Sequence, residues 1–186
     1  MTEAPQTRRR SLTVLSGTCA LALVLVGCSS HTASSPPISS SADCPQVQTA
    51  SFDKTKFALH SGLGLGAFHH FIYRPFQSGG FSSGTPGRVR RLAEAGLATA
   101  FTVHELRLAR EDAAANPTLC KVVAAPLGAA AASLQRLRGS VSSGRVSSGD
   151  LDGVNSDLDQ AQRGSAQSGN PVTEQVPTPE QLAHPT

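Results

Sequence analysis

The side chains best able to do chemistry here are His60, His69, His70 and His104, because imidazole ligates metals and haem and titrates near neutral pH. The first three lie in one apolar run from Phe57 to Tyr73, which Lys56 and Arg74 bracket. At helical pitch His60 and His69 fall about 180° apart round the axis, and His70 lies about 80° from His60. One helix alone therefore cannot chelate with them, and any site needs His104 from elsewhere. Glu105 beside it points about 100° away on a helix. A zincin helix needs a second His four residues on from the first, and position 108 is Leu. The sequence thus nominates no metal set and leaves His60, His69, His70 and His104 as possible ligand-binding residues.

Two further patterns carry a spelling without its context. Gly62, Gly64 and Ala67 satisfy G-x-G-x-x-A, but no strand precedes them and no acid follows at the spacing of a dinucleotide site. Asp150, Asp152, Asn155, Asp157 and Asp159 suggest a calcium loop, yet the fifth and twelfth positions are Val154 and Ala161. Asp150 and Asp152 suit a helix N-terminus, where the dipole favours acids. There is no nucleophile elbow, phosphate loop or Cys/His pair at catalytic spacing. The expectation is a protein that is not an enzyme and holds no cofactor.

The elements that would carry these residues are helical. The run from Phe57 to Tyr73 is apolar on nearly every face and shorter than the ~20 residues a membrane span requires, so it predicts the central helix of a bundle. Phe52, Asp53 and Phe57 predict its start, with Asp53 as N-cap and the two Phe as a staple; Pro75 predicts a stop near Arg74. After a loop from Gln77 to Gly87, a helix over 88–115 has the seam Val89, Leu92, Gly96, Thr99, Val103 and Leu106. A third, over 118–138, repeats it in Leu119, Val123, Leu127, Ala130, Leu134 and Leu137, with a kink expected at Pro126. A weaker fourth over 150–162 shows Leu151, Val154, Leu158 and Ala161. The fold class is all-α, a small up-down helical bundle of three long helices plus a weaker fourth. A disordered tether and a disordered tail, 164–186, flank it.

The N-terminus sets the compartment. Arg8, Arg9 and Arg10 precede an apolar stretch from Leu12 to Val26, the order of a secretion signal, which ends in Leu25, Val26, Gly27 and Cys28. That ending resembles the lipobox of bacterial lipoproteins, and the Ala/Gly/Arg-rich usage is similar to that of high-G+C Gram-positive lipoproteins. The resemblance covers the first 28 residues and implies a signal peptide over 1–27 and a lipidated Cys28. It places the protein at the outer face of the cell membrane. Thr7, Arg8, Arg9 and Leu12 are also similar to a twin-arginine signal with Ser11 where Phe is preferred, so both export routes stay open. A Ser/Pro-rich tether follows over 28–50, and the bundle domain over 51–163. Removal of Cys19 and lipidation of Cys28 leave Cys44 and Cys120, for which an oxidising exterior favours a disulfide; an up-down-up bundle brings the two together.

Charge adds a class of exclusion. From Cys28 onward 13 Lys and Arg face 12 Asp and Glu, a net charge of +1. With neither overall basicity nor interleaved aromatics, no nucleic-acid partner is expected. Local asymmetry persists: Lys54 to Ala93 holds six cations and no acid, whereas Ser140 to Thr186 holds two cations and six acids. These features lead to a lipid-anchored envelope protein that binds a partner protein or wall polymer. The alternative is a carrier of an amphipathic ligand, metal or haem between its helices.

Overall fold

The computed structural model describes residues 44–51 and 53–185. The expected signal peptide, the expected lipidation site Cys28, most of the expected tether and the Phe52 half of the expected staple lie outside those residues. The described chain is an all-α bundle: α1 (Asp53–Phe68), a π-helical turn (His69–Tyr73), α2 (Arg74–Gln77), α3 (Arg88–Ala114), α4 (Pro117–Ser142), α5 (Ser148–Gln167) and α6 (Pro179–Ala183).

α4 and α5 start where the sequence supplies a cap, whereas α3 follows Gly87, at φ 76°, with no side-chain cap. The Asn116 side chain accepts from the backbone N–H groups of Thr118 and Leu119, and Pro117 follows with its fixed φ at the first helical position. Ser147 accepts from the Asp150 N–H while the Asp150 carboxylate reaches back to the Ser147 N–H, a capping box that opens α5. Hydrogen bonds to the Asp150 carboxylate from the Ser147 hydroxyl, the Ser140 hydroxyl and the Ser147 N–H hold that carboxyl below its usual range.

α1 packs on α3, α3 on α4, and α4 on α5. The expected stripes of α4 and α5 are the buried ones: Leu119, Val123, Leu127, Ala130, Leu134 and Leu137 are at most 2% exposed, and Leu151, Val154, Leu158 and Ala161 at most 6%. α5 runs well beyond the expected short helix. In α3 the buried face is rotated from the expected seam. Ala95, Ala98, Thr102, Ala109 and Ala113 are buried with Thr99 and Leu106, whereas Val89 is 80% exposed. Small residues on that face let the neighbouring helices approach closely, which a search for large apolar side chains does not detect. Thr99 and Thr102 are admitted because each hydroxyl donates to the carbonyl four residues earlier.

The first helix does not stop at Arg74. The Arg74 N–H bonds to the carbonyl of His69, five residues back, and the helical path continues through Pro75 to Gln77. A widened turn accommodates a proline ring that would collide with the carbonyl four residues before it in a regular α-helix. Pro126 likewise lies inside α4, which remains one helix.

The last residues of the expected tether and the expected disordered tail are corrected. Cys44 and Cys120 form the disulfide, with Cα atoms 5.7 Å apart, and the Thr49 N–H donates to the Ala115 carbonyl, so residues 44–50 belong to the body. The tail from 164 is ordered. Its first four residues finish α5, residues 170–178 pass over α1 without regular secondary structure, and α6 lies against α3 with Leu182 buried. Its polar, Pro-rich composition cannot order it alone; the surface it meets on α1 does.

Candidate functional site

α1 is apolar on most faces because it is covered from two sides. Toward α3, Gly64 lies under Leu106, whose side chain would be 3.2 Å from an added Cβ. Toward the tail, Gly62 and Gly66 leave a channel filled by main chain. A Cβ on Gly62 would stand 2.5 Å from the Thr173 carbonyl oxygen, and one on Gly66 would overlap the Gln175 carbonyl. Only glycine permits such an approach between backbones. The Gln175 N–H donates to the Gly62 carbonyl at 2.9 Å, and Gln162 Nε2 donates to the Val172 carbonyl at 3.1 Å. The G-x-G-x-x-A spelling is thus an internal helix segment that seats protein main chain, rather than a turn that cradles a phosphate.

The histidines do not converge. His60 turns toward α3, with Nδ1 2.7 Å from Glu105 Oε2 and Nε2 3.9 Å from Asp112 Oδ2. Glu105 is 3% exposed, and this buried carboxylate is the side chain adjacent to the anticipated His104. Burial pushes the Asp112 carboxyl above its ordinary range, opposed by His60 and Lys56 and assisted by Glu111 and Asp53. Asp53 is 2% exposed; its Oδ1 accepts from Gln48 Nε2 at 2.7 Å, while its Oδ2 and the Oδ2 of Asp112 have no hydrogen-bond partner among the described residues.

His69 faces the tail. Its Nδ1 is 2.7 Å from Glu174 Oε1 and its Nε2 is 3.0 Å from Asn155 Oδ1, with Asn155 Nδ2 donating to Asp159 to orient that amide. His70 is exposed and meets Phe71 edge-on at 4.7 Å between ring centroids. His104 sits half-buried on α3. Among the described residues no three His, Cys, Asp or Glu side chains are placed to hold a metal ion together. Nor do the acids of α5 gather: Asp150 caps the helix, Asp157 accepts from Ser133 Oγ, and Asp159 accepts from Asn155.

Glu105 and Glu174 are the residues sequence reasoning missed. The signal for Glu105 was available: at helical pitch it follows Thr102 by three positions and precedes Ala109 by four, all on the buried face. None existed for Glu174, whose placement depends on a channel formed by glycines more than 100 residues earlier.

Two recesses bear on ligand capacity. A cavity where α1, α3, α4 and α5 meet holds about 10 Å³, the room of a single water, lined by Phe57, Ser61, Leu127, Leu158 and Val172 among others. A surface groove of about 430 Å³ lies between the start of α3 and the end of α4, over Val89, Leu92, Ala93, Gly96, Arg138 and Val141. Among the described residues α4 is the one helix long and apolar enough to cross a membrane, and 44% of its most apolar window is buried in the bundle. No family model, curated protein or solved structure matches the chain.

Proposed function

We propose that the protein is a lipid-anchored, extracytoplasmic docking module without catalytic activity, held to the outer face of the membrane through Cys28 and a Ser/Pro-rich tether. Support for the compartment comes from the lipobox and from the Cys44 to Cys120 bridge, a bond that persists in oxidising surroundings. The observation that carries the docking role is the α3–α4 groove. Its floor is apolar, Val89 at its edge is 80% exposed, and Arg138 is the charged residue in its lining. Segments 88–93 and 138–145 that frame it contain five Arg and no Asp or Glu, which favours an acidic amphipathic segment of an envelope protein. The groove and the disulfide are separated along α4 by 21 residues, roughly 30 Å at 1.5 Å per residue. A partner there would engage the end of the domain remote from its tethered end.

A filled core favours docking over carriage, because about 10 Å³ does not admit haem or an acyl chain. The test is a photo-crosslinking residue at position 89 in the anchored full-length chain. The expected product is one discrete protein adduct, diminished by Arg138→Glu. A ladder of nonspecific adducts, or a hydrolytic or redox activity of the purified protein, would end this reading.

A further inference from the structure

His69 is bonded at both ring nitrogens, and the partners fix its proton count. Nδ1 lies 2.7 Å from Glu174 Oε1, a carboxylate oxygen that can only accept. Nε2 lies 3.0 Å from Asn155 Oδ1. An amide could be turned the other way, but Asn155 Nδ2 donates to Asp159 Oδ2 at 3.2 Å, and reversing the group would set two acceptors against each other. The Asn155 oxygen therefore faces the ring, and it too can only accept. Both nitrogens must donate, which imidazole does only in its charged form. In this way the ring joins its own π-helical turn to α5 and to the tail segment. The side chains of His69 and Glu174 are 15% and 35% exposed, so the contact is partly withdrawn from water and differs from a solvated surface pair.

We propose that His69 is an imidazolium clasp that makes the hold on residues 173–176 depend on pH. The charged groups around the ring are Glu174 from the tail and, behind Asn155, Asp159 from α5. Along its own helical path the rings of Phe68 and Tyr73 flank it, with centroids 5.4 and 5.9 Å away. A neutral ring supplies one N–H, so either the carboxylate or the amide oxygen would lose its donor and face a lone pair instead. Closing the clasp thus takes up a proton. The hold is complete below the range in which imidazole titrates, about pH 5 to 8, and weakens as pH rises through it. The segment does not leave the body, because Val172, Pro177 and Leu182 on either side of it are buried. What changes is the tightness of the crossing over α1, where the Gln175 N–H bonds the Gly62 carbonyl. The clasp stands apart from the α3–α4 groove, so a failed crosslink at position 89 leaves it untouched.

The test uses the full chain and reads both ends of the clasp. Nitrogen NMR of the ring follows the His69 protons, while hydrogen exchange, expressed relative to the unstructured rate at each pH, follows the Gln175 amide. Because His60, His70, His104 and His184 are imidazoles too, the readout has to be this local. Between about pH 5 and pH 8 the Gln175 amide should lose about fivefold of its protection, the scale of one hydrogen bond. The midpoint of that loss should coincide with the departure of the second ring proton from His69. Different midpoints, protection that is flat or rises with pH, or a ring with one bare nitrogen at the acid end would each overturn the proposal. Two variants sharpen the result. Glu174→Gln offers an amide that can donate to a bare nitrogen or accept from a protonated one, so the segment should stay in place and the pH response should shrink to less than about twofold. His69→Gln should abolish the response. A response of unchanged size in either variant would assign it to another group and end the clasp.

Discussion

α4 and the segment from Asn170 to Thr178 are both ordered against the rest of the bundle, yet by opposite means. α4 brings its own cap, its own helical hydrogen bonds and a continuous stripe of Leu and Val into the core. The tail segment brings just Val172 and Pro177 as buried apolar side chains and is otherwise held through main-chain groups and side-chain contacts such as Glu174 with His69. An element stabilised by its own side chains can be recognised from its own residues. One held by backbone contact draws its order from the surface it lies on, and here that surface is a pair of glycines.

The sharpest way to break the comparison is to remove packing from α4. Leu134 is fully buried, and Leu134→Ala should lower the unfolding free energy by about 3 kcal/mol, within the usual 2–5 for a buried leucine. Chemical denaturation should show the whole bundle losing stability in one transition. A smaller effect is expected from the tail: Val172→Ala with Leu182→Ala should cost about 1–2 kcal/mol, because the strand can detach before the full cavity penalty develops. Protease sensitivity should increase after Gln167 with little change in helical circular dichroism. Global unfolding of that double variant would show that the tail is a strut of the core.

Ser147→Ala tests an element intermediate between the two. α5 has a buried stripe like α4, but it also contains Gly149, Gly153 and Gly164, each unfavourable for a helix, so its start depends on the capping box. A loss of about 1 kcal/mol is expected, concentrated in faster amide exchange over the first turns of α5. An unaltered exchange pattern would assign the start of α5 to packing of Leu151 alone.

How far the molecule could be read from its sequence follows the same division. The α4 and α5 stripes were legible because Leu and Val recur at helical spacing, and the disulfide because only Cys44 and Cys120 remained to pair. The register of α3 was misjudged because most of its buried face is alanine and threonine, with Phe101 and Leu106 the large apolar residues among them, so burial there reflects close helix approach more than hydrophobic bulk. Helical continuity through Pro75 escaped because the π turn is a backbone solution with no residue signature. Of the candidate histidines, His60 and His69 occupy structured polar contacts, but their partners come from another helix and from the tail. Angles within α1 could exclude a shared chelate, and helical pitch within α3 could place Glu105 on the buried face, but neither said that His60 would meet Glu105 or that His69 would meet Glu174.

The smallest predicted effect concerns the polar contact beneath α1. Burial raises the Asp112 carboxyl above its ordinary value of 3.8 in the folded state, and the attractions of His60 and Lys56 only partly offset it. The folded protein therefore binds a proton at Asp112 more readily than the unfolded chain. Stability from this group is greatest below its unfolded value and declines as pH rises through the folded one. At neutral pH the ionised carboxylate is a cost, sharpened by an Oδ2 atom without a hydrogen-bond partner among the described residues. Asp112→Asn removes that charge with little change of shape, so it should raise the thermal midpoint slightly at pH 7. The advantage should shrink as pH falls through the raised folded-state value, where the native carboxyl becomes protonated. Melting both proteins across that range checks the sign. A variant less stable than the parent at pH 7 would mean that the attraction between Asp112 and His60 outweighs desolvation, and that this corner of α1 is held by charge where the tail is held by main chain.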